Sequence, residues 1–186
     1  PNIPHKSVPH GSNESKNKVI YEWGEENTQR FNLKTHLSLG SNLKLFDFER
    51  SAKLSGSGFP LYTGKGALLE RSLINFMLEF QTQENGYLEI IPPLLVNSNS
   101  VLTTGNLPKF SEDMYHSEID DLWLIPTAEV PLTNIHCNEI LSESDLPKKY
   151  TAFSACFRRE AGSYGKDTKG FQRLHQFNKV ELVQFV

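Results

Sequence analysis

The sequence predicts an α+β fold, an antiparallel β-sheet flanked by helices. Three observations carry the prediction. An apolar stripe at helical spacing runs from Ala67 to Phe80. A strand follows it directly after a glycine. Two long strand-like arms, Tyr150–Glu160 and Phe171–Val186, then close the chain as a hairpin. Helix and strand periods alternate without repeats, which suits a layered domain.

The first residues, 1–18, carry Pro1, Pro4, Pro9 and Gly11 among polar side chains and read as a linker entering a domain from something upstream. The segment Ser51–Gly66 is rich in Ser and Gly, and Phe59-Pro60-Leu61-Tyr62-Thr63 within it reads as a short strand. Next comes the clearest helix. Ala67, Leu69, Leu73, Phe76, Met77 and Phe80 recur at three- and four-residue steps, with Glu70, Arg71, Asn75 and Glu79 between them. That is the pattern of a helix laying one face on a sheet. Asn85-Gly86 stops it, because glycine readily takes the left-handed conformation at a helix end. Tyr87-Leu88-Glu89-Ile90-Ile91 is the strand, ended by Pro92-Pro93, and Asp121–Ile125 is another, leading into Pro126–Asn134.

The closing hairpin holds the chemistry. Side chains two residues apart share a strand face. Arg158 and Glu160 therefore project together, with the small residues Cys156, Ser154 and Ala152 behind them. On the other arm Arg173, Phe177 and Glu181 lie four apart and also share a face. Guanidinium forks suit phosphate oxygens, an aromatic plate suits a base, and a carboxylate suits an ammonium. The combination fits a nucleotide plus an amino acid. The intervening loop, 161–170, is longer than a turn needs. Residues 158–173 hold Arg158, Arg159, Lys166, Lys169 and Arg173 against Glu160 and Asp167, a local +3 suited to an RNA end. A solvated surface is the competing reading of any one of these residues. The small inner residues and the long loop weigh against it.

Composition narrows the classes. The chain has 186 residues, 38% hydrophobic and 22% charged, as a globular protein has. The formal net charge of −3 argues against a nonspecific coat for nucleic acid. No run approaches eighteen apolar residues, so no membrane span and no membrane partner is expected. Cys137 and Cys156 make neither a disulfide framework nor a C-x-x-C metal site, and a reducing, cytoplasmic setting follows as the expectation. No metal-ligating set is expected, since the histidines are scattered. Gly165-Lys166-Asp167-Thr168 fails as a phosphate loop, because the residue after the lysine is not Ser or Thr.

Phe157-Arg158-Arg159-Glu160, a loop, then Arg173, Phe177 and Glu181 at four-residue spacing resembles motif 2 of the class II aminoacyl-tRNA synthetases. Gly86 to Pro92 with its preceding helix resembles motif 1, the dimer-forming element of that family. Residues 157–170, Pro126-Thr127-Ala128-Glu129-Val130-Pro131 and Thr104–Phe110 are similar to seryl-tRNA synthetases of the bacterial and organellar kind. The resemblance covers nearly the whole chain. It implies motif 1 at about 66–93, a serine-binding loop at 126–134 and motif 2 at about 150–186 within a catalytic domain starting near residue 19. It implies a chain cut before motif 3, with a tRNA-binding helical arm upstream of residues 1–18 and little activity in the fragment alone. It implies that Arg158 contacts the α-phosphate of ATP, that Arg159 and Glu160 also contact ATP, and that Phe177 stacks on adenine. It implies that Thr127, Ala128, Glu129 and Glu181 hold serine. The expected activity is serine activation with ATP and Mg²⁺, followed by transfer to tRNA(Ser), in a homodimer joined through motif 1. A paralogue that charges a carrier protein and a non-catalytic binding module are the alternatives.

Overall fold

The computed structural model describes residues 3–25, 31–160 and 170–186. The loop 161–169, with Lys166, Asp167 and Lys169 of the basic cluster, lies outside the described residues, as does Pro1. The chain forms two compact units, Pro1–Leu33 and Lys34–Val186. In the first, the described residues are exposed and carry one 3-10 turn, Glu14–Lys16, capped by the Asn13 side chain. The boundary between the two units falls at 33/34.

The second unit is built on two small sheets. Strands β1 (Leu88–Glu89), β2 (Leu95–Asn97), β3 (His116–Ser117), β4 (Leu122–Leu124), β5 (Lys148–Phe157) and β6 (Gln176–Phe185) order as β1-β5-β6 and β2-β4-β3. Helices are α1 (His36–Asn42), α2 (Phe48–Ser55), α3 (Lys65–Gln83), α4 (Ser98–Thr103) and α5 (Glu129–Asn134). The hairpin β5–β6 is antiparallel over ten residue pairs, from Lys148↔Phe185 to Phe157↔Gln176. The second sheet is antiparallel throughout. β1 departs from the all-antiparallel expectation, since it pairs parallel to β5, Leu88 beside Tyr150. The predicted strand at 59–63 shrinks to one bridge, Phe46↔Tyr62, although Asp47 and Thr63 still bond to the backbone across it.

α3 forms where its period predicts, and Gly86, at φ 69°, turns the chain after it. Its inward face differs from the predicted one. Leu69, Leu73, Phe76, Met77 and Phe80 are exposed, Phe76 at 64%. Gly66 is buried and Glu70, Ile74 and Leu78 are half-buried, a row at four-residue steps that borders the apolar stripe. Gly66 is required there. A Cβ on it would stand 1.8 Å from the Leu45 carbonyl oxygen. Glu70 accepts a hydrogen bond from Asn178 Nδ2 at 3.0 Å, which ties the helix to β6.

Two apolar clusters stand behind the site. Val96, Val101, Met114, Trp123, Ile125 and Val130 form one. Ala128, Leu132, Tyr150 and Ala152 form the other. α5 and its N-cap contribute to both, so Pro126–Asn134 is wedged between the two sheets.

Candidate active site

β5 and β6 place the site by register. Directly paired residues of an antiparallel ladder share a face. Cys156 opposes Phe177, Ser154 opposes Lys179 and Ala152 opposes Glu181. The β5 members are small and buried, at 0%, 2% and 0% exposure, so the long β6 side chains have room above them. Phe177, Lys179 and Glu181 therefore line one surface in sequence along β6. Their outer members stand about 13 Å apart at about 3.3 Å per residue.

At the Phe177 end, β5 has ended before Arg158, yet Arg158 remains on the same face. Its backbone N–H donates to His175 O at 2.9 Å, which extends the ladder by one rung. Its Nε donates to Pro126 O at 3.2 Å. Its guanidinium carbon lies 5.1 Å from the centre of the Phe177 ring, a cation–π contact. Glu160 has φ 49°, a conformation that non-glycine residues seldom adopt and that concentrates at functional sites. Its Oε2 accepts from Arg173 NH1 at 2.9 Å. Arg173 precedes β6 and so does not belong to the predicted strand row, but this ion pair returns it to the site. Arg158, Glu160, Arg173, Leu174 and Phe177 line a cavity of about 350 Å³, within the range of roughly 300–1,000 Å³ usual for small-ligand sites.

Arg159 is not brought there. Consecutive extended residues point opposite ways. Its side chain lines another cavity, with Glu112, Tyr115, His116 and Trp123, and its N–H donates to Asp113 O at 2.7 Å.

At the Glu181 end, the loop 126–128 delivers Thr127. The hydroxyl of Thr127, 7% exposed, donates to Glu181 Oε2 at 2.5 Å. It accepts from Lys179 Nζ at 2.6 Å and from the Glu129 N–H at 3.2 Å. A hydroxyl has one proton and two lone pairs, so this one is saturated. Lys179 also pairs with Glu181 directly. Burial pushes the Glu181 carboxyl up, but the Lys179 and Thr127 hydrogen bonds and the Lys179 charge outweigh it, and the group lies below its ordinary value. Ala128 is wholly buried in the second cluster, so only its backbone faces a ligand. The Glu129 side chain is exposed at the first turn of α5.

Burial raises the Cys156 thiol, despite the nearby Ser154, Lys179 and Arg158, so it behaves as a small apolar floor. Among the described residues no group of three His, Cys, Asp or Glu is placed to hold a metal ion. None of the described helices is long and apolar enough to cross a membrane. Lys179 is a charged site residue that the sequence reading does not single out. Its parity with Phe177 and Glu181 was the available signal.

The surface joins an aromatic plate and a guanidinium at one end to an ammonium-binding hydroxyl–carboxylate pair at the other, bridged by Pro126-Thr127. Comparison with known proteins agrees. The model of the tRNA synthetase class II core domain (G, H, P, S and T) matches residues 110–186. A serine–tRNA ligase of Methylacidiphilum infernorum is 60% identical over 184 residues, 99% of this chain and 44% of that protein. The serine–tRNA ligase of Syntrophobacter fumaroxidans is 57% identical over 186 residues, 100% of this chain and 44% of the relative. Among solved structures, seryl-tRNA synthetase from Pyrococcus horikoshii complexed with ATP superposes with a TM-score of 0.88 at 40% identity, covering 98% of this chain and 45% of that one. Cytoplasmic serine–tRNA ligase from Naegleria fowleri in complex with AMP gives 0.86 at 29% identity, covering 97% and 43%. The chain therefore spans less than half the length of the relatives it matches.

Proposed function

We propose that this chain belongs to the seryl-tRNA synthetase family, whose members it matches over 44% of their length, and that the protein carrying it activates serine with ATP and transfers it to tRNA(Ser). One observation carries the reading. The Arg158–Phe177 stack and the Lys179–Glu181 pair lie on one face of one hairpin, with Thr127 set against that pair and Arg158 bonded to the residue before Thr127. A ligand with a base at one end and an ammonium at the other matches that order. The nucleotide complexes of the two structural relatives support it.

In this reading the adenine lies against Phe177, with Glu160 at its edge. Arg158 faces the α-phosphate, where negative charge grows as the serine carboxylate attacks in line and pyrophosphate leaves. Positioning and fixed charge supply the rate, with no covalent enzyme intermediate. Thr127 and Glu181 bind the ammonium, the Ala128 backbone lines the seat, and Glu129 receives the serine hydroxyl. Mg²⁺ would arrive with ATP, whose phosphates suit this ion. Among the described residues no group of three His, Cys, Asp or Glu is placed to hold it apart from the nucleotide. The tRNA end would approach the basic loop. Residues 1–18 would connect to a tRNA-binding arm, and motif 3 would complete the nucleotide site. The exposed stripe of α3, with β1, would join two copies, and the setting would be cytoplasmic.

Serine-dependent ATP–pyrophosphate exchange by the whole polypeptide carrying this chain tests the reading, with threonine and alanine as controls. Exchange with serine alone is expected. Glu129→Ala should raise the KM for serine by about 10- to 100-fold, the loss of a hydrogen bond to a charged group of about 1.5–3 kcal/mol, while the KM for ATP stays put. Equal loss for both substrates would remove Glu129 from the serine site, and absence of serine-dependent exchange would sink the function.

A further inference from the structure

Lys179 already makes the contacts that an amino acid's ammonium would make. Its Nζ donates to Thr127 Oγ1 at 2.6 Å and pairs with the Glu181 carboxylate. The Thr127 hydroxyl is saturated in that arrangement and has no lone pair left for a second ammonium. Glu181 is 19% exposed in its side chain and Lys179 31%, so the pair is shielded but the lysine end reaches solvent. Two like charges do not share one carboxylate and one hydroxyl without a large penalty. An incoming ammonium must therefore expel the Lys179 head. The lysine stem is flexible, so its head can relocate while the backbone stays fixed. Its register between Phe177 and Glu181 means that any ligand running from the ring to the carboxylate passes over it.

We propose that the Lys179 ammonium is an exchangeable stand-in for the substrate's amino group, holding the Thr127–Glu181 seat until an amino acid displaces it and then swinging along β6 to the acid's carboxylate. This rests on the function proposed above. Lys179 is a positioning group in two senses. It keeps the Glu181 carboxylate charged and aimed, and after displacement it returns its charge to the anionic centre between itself and Arg158. The exchange makes the seat selective. A ligand with an ammonium but no carboxylate must evict the lysine and offers it nothing in return. A true amino acid offers the evicted charge a new partner.

The test compares wild type, Lys179→Met, Lys179→Gln and Lys179→Arg in the whole polypeptide. The probes are serine and 2-aminopropane-1,3-diol, which keeps the ammonium and hydroxyl of serine but replaces its carboxylate. Equilibrium binding of the diol should tighten by about tenfold in Lys179→Met, since the seat no longer has an occupant to evict. In the same variant kcat for serine-dependent exchange should fall at least about tenfold. Lys179→Gln, the polar second neutral variant, should follow the methionine in both readouts. Lys179→Arg should bind the diol as weakly as wild type and regain part of kcat. A purely structural lysine would make diol binding, serine KM and kcat all worsen together in the neutral variants, and that result overturns the proposal, as would unchanged values throughout. Failure of the wild type to exchange with serine would instead overturn the functional reading beneath it.

Discussion

Glu181 sits under two opposed influences, burial against a lysine and a threonine, and the second prevails. A carboxyl depressed in the folded chain stabilises the fold in full above its ordinary value of 4.5. As the pH falls from there through its own lower midpoint, that contribution drains away, because the unfolded chain takes up the proton first. A carbon-13 titration of the Glu181 side chain should give a midpoint below 4.5 in the wild type, moving upward in Lys179→Met. A midpoint unmoved by that substitution would mean that Lys179 does not hold this carboxylate. Much at this scale was legible. Phe177 and Glu181 share a face, as the even spacing required, and Arg158 joins them. Lys179 has the same parity but was passed over, because a lysine on a strand reads as a solvated residue until Thr127, distant in sequence, is seen beside it. Arg159 lines a different cavity from Arg158, because a motif groups neighbours in sequence while an extended backbone sends them to opposite sides.

At the scale of elements, the fit of α3 against the chain before it depends on a missing side chain. Gly66→Ala would place a methyl 1.8 Å from a backbone oxygen, where no flexible group can yield. The helix start or the Leu45 backbone must move, and overpacking of this kind costs about 1–3 kcal/mol. The thermal midpoint of the whole polypeptide should drop by several degrees. An unchanged midpoint would show that the helix start can shift freely. The period of α3 revealed the helix but not which face turns inward. Its inner row contains a glycine and a glutamate, while its apolar stripe faces outward, and an amphipathic pattern looks the same whether a core or a partner covers it. The parallel pairing of β1 with β5 was equally hidden, since strand direction follows from how the chain returns and not from the residues of the strand. The long hairpin was plain because ten alternating positions on each arm leave little freedom.

For the whole molecule, the outward stripe of α3 sets the expected assembly. Leu69, Leu73, Phe76 and Phe80 form an apolar surface of the sort that marks an interface. In the whole polypeptide, Leu73→Glu with Phe76→Glu should convert the proposed dimer to a monomer by analytical ultracentrifugation, because two buried like charges on each copy would oppose closure. A mass equal to that of the wild type would assign the stripe to some other contact.

α5 is keyed into two apolar clusters at once, Val130 in one and Leu132 in the other. A keystone of this kind inherits the errors of both arches it closes. Drift at Val96 or Met114, which share a cluster with Val130, would tilt the same short helix and with it the hydroxyl that Thr127 presents. If the proposed function holds, fidelity in choosing the amino acid would be entrusted to residues that never meet it, and would erode under distant wear while the architecture still stood.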